Sequence, residues 1–438
     1  MKQTLSLIIL TSFVILKPQI NAQDEIDVLE RIENSNNSNS ANVSSNLETS
    51  ESNAKESSGP GSTKNGNSIF DRIYEKISKS LDPILNNAVL IQGTDKDFIK
   101  EATVSGRYQW QNADINADQG DDQFSESRRA RLGAMVKLMY DIDIKGEINL
   151  VDEDDVSSSF DYGGIDTLYA SWSLSDNTSV SVGKMKPLFT QEYTMDSNEL
   201  PVLERSLLVK QLAPHKSTGV NFSGKSESWA FSGAVFSGEK EENIGWSSDG
   251  LFYNASLTYE FNADGDSDKK SDGASGDLLG REFWHLDYIY NPDSPINDAL
   301  GAYEHAISTG VSLERGNFGL SVDLNYATGD DALWGLQVTP TLFIIEDKIQ
   351  LVGRYQFADT DDSGAINLSS RYENSISDLV SFSGDEYHSL YAGINYYLYD
   401  NHLKLMTGIE FSVLKDNDNI SDDVYNGWTW LSGLRISF

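Results

Sequence analysis

The sequence predicts an all-β protein: a transmembrane antiparallel β-barrel of about 16 strands, preceded by a disordered N-terminal tether and a short amphipathic helix. Three observations carry that expectation. From residue 101 onward, apolar and polar residues alternate with a period of two through run after run, the mark of half-buried strands. The links between runs are short and long by turns. Beyond the first residues, no segment approaches ~18 continuous apolar residues, so a membrane crossing has to be made by strands closed on themselves.

The N-terminal elements come first. Residues 1–22 read as a secretory signal: Lys2 is the charged start, Leu5 to Leu16 the apolar run, and Ile20-Asn21-Ala22 the small-residue cleavage site. An uncleaved anchor is the alternative. Residues 23–68 read as a periplasmic tether, because the Ser, Asn, Gly, Glu and Lys that fill 34–68 bury too little apolar surface to offset their ordering entropy. In 69–98, a short helix and linker, Ile69, Phe70, Ile73, Ile77, Leu81, Ile84 and Leu85 recur at helical spacing and are interrupted near Pro83. That helix either packs on the main domain or serves as a plug. The barrel is assigned to 99–438.

The strands follow in order. EATVSGRYQW (101–110) sets Val104, Tyr108 and Trp110 against Arg107 and Gln109; SRRARLGAMVKLMY (127–140) sets Ala130, Leu132 and Val136 against Arg129, Arg131 and Lys137. The same alternation fills 142–150, 164–175, 177–185, 216–225, 228–237, 250–262, 280–291, 303–314, 318–327, 333–345, 348–358, 387–399, 402–414 and 428–438. Tight links at 140–141, 315–317, 346–347 and 400–401 take turns with long ones at 111–125, 152–163, 186–215, 359–386 and 415–427. Short turns on one rim and long loops on the other are the arrangement of outer-membrane barrels. The 263–279 connection breaks the rule by its length. Trp110, Tyr140, Trp172, Trp284, Tyr399, Trp428 and Trp430 fall near strand ends, where interfacial aromatics belong. The last strand ends on Phe438, and an even count lets it pair with the first, leaving no edge in lipid. A terminal Phe in this setting reads as the signal taken by the barrel-assembly machinery.

Composition removes other classes. Lys+Arg number 33 against 68 Asp+Glu, a formal charge of -35, so nucleic acid is no partner. There is no cysteine, which excludes a disulfide framework and any Cys-based metal site. The acidic runs Asp152–Asp155 and Asp359–Asp362 read as solvated outer loops, or as carboxylates for divalent cations that bridge lipopolysaccharide. No G-x-S-x-G, HExxH, P-loop or Rossmann fingerprint appears, and none of His215, His285, His305, His388 and His402 sits in a tight motif with Ser and an acid. The expectation is no enzyme and no cofactor. His285 and His388 fall within strands and read as wall packing.

SRRARLG (127–133), VGKMKPLF (182–189), LERSL (203–207), LAPHKSTGVNFSG (212–224) and YAGINYYLYDNHLKLMTGIEF (391–411), in this order, resemble the phosphate-selective porins O and P of Gram-negative outer membranes. The resemblance covers residues 100 to 438. It implies a sixteen-stranded, homotrimeric barrel among outer-membrane lipid and lipopolysaccharide, passing small anionic solutes. The loop after strand five, here 186–215, would fold inward as the constriction. On that resemblance Arg129 and Arg131 match the Arg-rich strand, Lys186 the Lys before Pro-Phe (with Leu188 inserted), and Arg205 the Glu-Arg-Ser. These four are the expected pore and anion-binding residues. Interleaved acids, Asp143, Glu147, Asp323 and Glu410, argue for weak selectivity. Other readings keep Arg129 and Arg131 paired with Asp143 and Glu147 as wall braces, Arg205 paired with Glu204, and Lys186 as a solvated strand-end charge. A structural or adhesive barrel that conducts nothing is the alternative function.

Overall fold

The computed structural model describes residues 76–77, 79–81 and 88–438, apart from 153–155, 157–158, 239–241, 247–249, 262–281, 293–296, 298–302, 330–331, 362–363, 369–370, 374–375, 377–378, 380 and 418–422. The expected signal, the tether, most of the amphipathic helix and the 263–279 connection lie outside the described residues.

The chain runs β1 (Val89–Gln92), β2 (Ile99–Ala117), β3 (Gly120–Leu138), β4 (Ile142–Asn149), β5 (Ile165–Ser175), β6 (Thr178–Met185), β7 (Ser217–Ser226), β8 (Trp229–Ser237), β9 (Leu251–Glu260) and β10 (Phe283–Tyr290). It continues through β11 (Tyr303–Arg315), β12 (Phe318–Gly329), β13 (Ala332–Ile345), β14 (Ile349–Thr360), β15 (Ile366–Asn367), β16 (Ser383–Gly384), β17 (Glu386–Tyr399), β18 (Leu403–Lys415) and β19 (Tyr425–Ser437). Sixteen of these, β2–β14 and β17–β19, form one antiparallel barrel in which each pairs with the next and β19 returns to β2. The 16 periodic runs of the sequence are these strands. β15 and β16 pair only with each other, inside a loop.

The terminal strand closes the barrel against β2. Phe438 N–H donates to the Gly106 carbonyl at 2.9 Å and Gly106 N–H donates back at 3.0 Å, while the Phe438 ring lies over the bare face of Gly106. Beyond that point β2 would present an open edge. β1 covers it, pairing Gln92 with Glu101 and Ile91 with Ala102, so the linker assigned to 69–98 contains a strand.

Side chains alternate as a membrane barrel requires. On β18, Lys404, Met406, Glu410, Ser412 and Leu414 are buried inward, while Ile409 and Phe411 stand about half exposed on the outside. Leu324, Tyr326, Trp334, Leu351, Leu390 and Trp430 continue the exposed apolar exterior. Tyr140 and Asp141 adopt positive φ (64° and 57°), the conformation of a two-residue hairpin turn on the short rim.

The expected long loop 111–125 is not a loop. β2 and β3 extend through it, 19 residues each, and Ala117 pairs with Gly120 at the tip. Asn112, Asp114 and Asn116 sit between the buried Gln111, Ala113 and Ile115, so the strand looks polar on its outer face. Above the bilayer that face is wet, and the apolar signature of a lipid-facing strand disappears there.

Toward the long-loop rim the inner face also changes character. Ala113, Ile115, Phe236, Phe252, Ile289, Leu333 and Leu414 point inward and are buried, and they share one apolar core with loop residues Phe189, Leu203, Leu207, Leu208, Leu212, Ile366, Leu368, Tyr372 and Ile376. The mouth therefore holds a small hydrophobic core of its own.

Candidate functional site: the inward loop and its wall

Loop 186–216 follows β6, the fifth barrel strand, and turns into the lumen. It contains two short helices, α1 (Gln191–Thr194), capped by Thr190, and α2 (Leu207–Leu212), capped by Ser206, whose hydroxyl accepts from Val209 N–H at 3.2 Å. The wall holds the loop with cations. Arg435 donates to the carbonyls of Ser197 (2.7 Å), Leu200 (3.0 Å), Val202 (2.9 Å) and Leu203 (2.8 Å). Lys404 reaches the Leu200 carbonyl at 3.0 Å, and Asn395 the Pro201 carbonyl at 2.8 Å. Arg354 joins Glu192 of α1 (2.9 Å) to Glu410 of β18 (3.1 Å) and donates to the Glu204 carbonyl. Two apolar knobs complete the seat. Leu208 fills the space a Cβ would need at Gly335, and Leu203 lies 2.7 Å from where one would stand at Gly433. Either glycine, given a side chain, would collide with the loop.

On the other flank a chain of alternating charges ties the loop to β2–β5. Asp196 is held bidentately by Arg107 (2.9 and 3.1 Å); Arg107 and Arg131 share Glu147 (3.5 and 3.1 Å); Arg131 and Lys216 share Asp166. Burial pushes the Asp196 carboxyl up, but Arg107 outweighs it and the net shift is downward. Burial likewise opposes ionisation of Glu204, yet Arg128 and Lys210 hold it well below the usual carboxylate range.

The four expected residues divide into two pairs. Arg131 braces Glu147 and Asp166, and Arg129 donates to Gln109 at 2.9 Å; both face inward and are largely neutralised or engaged by the wall. Lys186 and Arg205 both lie against Tyr193, with the Lys186 ammonium 5.2 Å and the Arg205 guanidinium 5.8 Å from its ring centroid. Lys186 donates to the carbonyls of Tyr193, Thr194 and Met195 at the C-terminal end of α1, and Arg205 to those of Glu192 and Met195. Lys186 is thus no solvated strand-end charge: burial first, and then Arg205, depress its pKa well below the ordinary lysine value. Nor does Arg205 pair with Glu204, which is taken by Arg128 at 2.8 Å and Lys210 at 3.6 Å.

Sequence reasoning missed Arg128, Arg354, Lys404 and Arg435. A β-bulge explains the first: Gln109 pairs with Arg129 but Trp110 pairs with Ser127, so Arg128 is an extra residue that joins its neighbour on the inner face. The other three stand on the inward parity of their strands and were open to the alternation rule.

A second loop enters the mouth. The sequence reading makes 359–386 a long connection with its acidic run Asp359–Asp362 solvated, but further along it Arg371 reaches the fully buried Glu126 on β3 at 2.5 Å, and Glu373 accepts from Thr429 at 2.7 Å. Phe124 stacks on Tyr372 at 5.6 Å, and Gln211 at the end of α2 donates to the Ala365 carbonyl. The two loops meet.

A closed 16-stranded barrel with an apolar exterior, a charged interior and an inward loop after the fifth strand is an outer-membrane porin. The chain belongs to the family described as phosphate-selective porin O and P, which matches residues 103–334. It is not an enzyme. No curated protein matches it. Among solved structures it resembles an anion-selective porin from Comamonas acidovorans (14% identity, TM-score 0.52, covering 77% of this chain and 99% of that one). It also resembles a loop-deletion mutant of OmpT from Vibrio cholerae (12%, TM-score 0.50, 78% and 100%) and OmpF of Salmonella typhi (11%, TM-score 0.52, 77% and 98%). At these identities the likeness is one of fold.

Proposed function

We propose that this porin is a water-filled channel for passive diffusion of small solutes with a weak preference for anions such as phosphate, working as a homotrimer. The observation that carries the reading is the kind of partner the loop-side cations have. Lys186, Arg205, Lys404 and Arg435 are hydrogen-bonded to carbonyl and amide oxygens, which stabilise a cation without cancelling its charge. Arg107, Arg131 and Arg354 are instead paired with carboxylates and add little net field. Fixed charge at a narrow, poorly screened point acts on a passing ion more strongly than loop acids beyond a Debye length of ~8 Å at physiological salt.

The test is the reversal potential of the reconstituted channel in a salt gradient. The wild type should show modest anion preference, and replacing Arg205 and Lys404 together by Gln should move the potential toward cations. A strongly cation-selective wild type, or an unmoved potential in the double variant, overturns the reading. Absence of conductance from correctly assembled barrels would favour the structural or adhesive alternative.

A further inference from the structure

The inner wall engages its ionisable groups with one another. Arg107 and Arg131 share Glu147, Arg354 joins Glu192 to Glu410, and His285 is clasped between Asp287 (2.9 Å) and Asp323 (2.7 Å) where Gly310 leaves it room. Two residues of β4 stand apart. Asp143 and Lys145 share the inward face with Glu147, in register with Lys137 and Met135 of β3. Both are partly exposed, and neither side chain makes a hydrogen bond or an ion pair with a described residue. The expected brace between Asp143 and the arginines of β3 is not formed. Arg131 takes Glu147 and Asp166, Arg129 takes Gln109, and Lys137 turns to Glu101 at 3.0 Å.

The pair can be reached by a solute. Asp143 is the second residue of β4 after the tight turn at Tyr140 and Asp141, so both groups lie on the short-rim side of the Arg107–Glu147 contact. The inner surface there is open to water. Lys137 and Glu101, in the same row as Asp143, keep 42% and 32% of their side-chain surface, and Ser105 and Ser173, inward on β2 and β5, are exposed. Two residues further up β4, Glu147 and its partner Arg131 keep only 7% and 10%. A solute entering from the short rim therefore meets Asp143 and Lys145 before the braced arginines.

The chemistry of what fits follows from the two free charges. Residues two apart on one strand stand roughly 6.6 Å from each other. The nitrogen and carboxyl carbon of an α-amino acid are roughly 2.5 Å apart, and a charged hydrogen bond of ~2.8 Å at each end extends that span to about 8 Å. The flexible lysine stem covers the difference. A lone fixed charge favours one sign of ion; a carboxylate and an ammonium side by side favour a solute that carries both. We propose that Asp143 and Lys145 form a vestibule station for zwitterionic α-amino acids, Asp143 accepting from the ammonium and Lys145 donating to the carboxylate. Ser171, opposite Asp143 on β5, adds a hydroxyl beside the ammonium, and Met135, opposite Lys145, offers partly exposed apolar surface. A zwitterion has no net charge, so the station acts whatever ion preference the loop cations set.

The experiment is single-channel conductance in planar bilayers at neutral pH, titrating free glycine into KCl. The wild type should show a saturable fall in current. Glycolamide, uncharged and of similar size, should not produce it, and acetate, with the negative group alone, should need at least tenfold more. Asp143→Asn and Lys145→Gln should each raise the half-blocking concentration of glycine by tenfold or more. Exchanging the pair (Asp143→Lys with Lys145→Asp) should restore the block, because a zwitterion can turn end for end. If one single variant fails to assemble as a heat-modifiable barrel, the other decides. No saturable block in the wild type, an unchanged half-blocking concentration in an assembled single variant, or an assembled exchange variant without block overturns the proposal. So does acetate blocking as well as glycine, with Asp143→Asn affecting neither, which would make Lys145 a plain anion contact. A wild type without anion preference that glycine still blocks overturns the anion reading and leaves this station standing; an anion-preferring wild type without block does the reverse. Barrels that conduct nothing overturn both.

Discussion

Arg435 is the side chain on which the seat of the inward loop depends most, and replacing it by Met isolates that role. Its guanidinium makes four hydrogen bonds to loop carbonyls, none longer than 3.0 Å. Charged hydrogen bonds contribute about 1.5–3 kcal/mol each, but four do not add, because burying the guanidinium opposes them. Breaking a buried charged cluster costs about 3–5 kcal/mol when the orphaned groups stay dry. Lumen water can reach part of the freed carbonyls, so we take about 2–3 kcal/mol, a 30- to 150-fold loosening of the docked loop at roughly 1.4 kcal/mol per decade. The loop would not leave, since Arg107–Asp196 and Arg354–Glu192 still hold it. It would fluctuate. The expected outcome for Arg435→Met is a barrel that assembles normally, with larger mean conductance and greater open-channel noise. Arg435→Lys, which keeps the charge but loses the planar fork, should be nearly as noisy while retaining the wild-type reversal potential. Wild-type conductance and noise from an assembled Arg435→Met channel would show that the knobs Leu203 and Leu208 seat the loop without it.

Two further outcomes follow. Lys186 has its pKa depressed in the folded loop, so its charge is complete only below that lowered value and is lost as pH rises through it, before an ordinary lysine near 10.4 titrates. Anion preference should therefore decline at a pH well below the range where an ordinary lysine titrates in the wild type, but not in Lys186→Met. In the same window the loop should gain stability relative to the unfolded chain, which keeps the proton longer. Deleting Phe438, or replacing it by Asp, removes the ring over Gly106 and frays the β19–β2 seam, so heat-modifiable barrel should fall on gels and degraded protein accumulate; normal levels would detach the terminal residue from assembly.

The strands were legible in the sequence because a membrane barrel imposes one local rule at every position: one face wet, the next greasy, with a period of two. That rule located the runs, and put Trp428, Trp430 and Phe438 on the outer face and Arg129 and Arg131 on the inner one. It failed where the environment on a face changes with height. Asn112, Asp114 and Asn116 hid the upper half of β2, because above the bilayer the outer face of a strand is wet and carries polar residues too. The inward loop after strand five was anticipated from family resemblance, but its contacts were not. Which carbonyls Arg435 grips, which glycines admit Leu203 and Leu208, and that Asp323 meets His285 across Gly310 depend on register between strands and on a loop folding back. Alternation fixes the face a side chain takes. Only closure of the ring and the packing of loops inside it decide what that side chain meets.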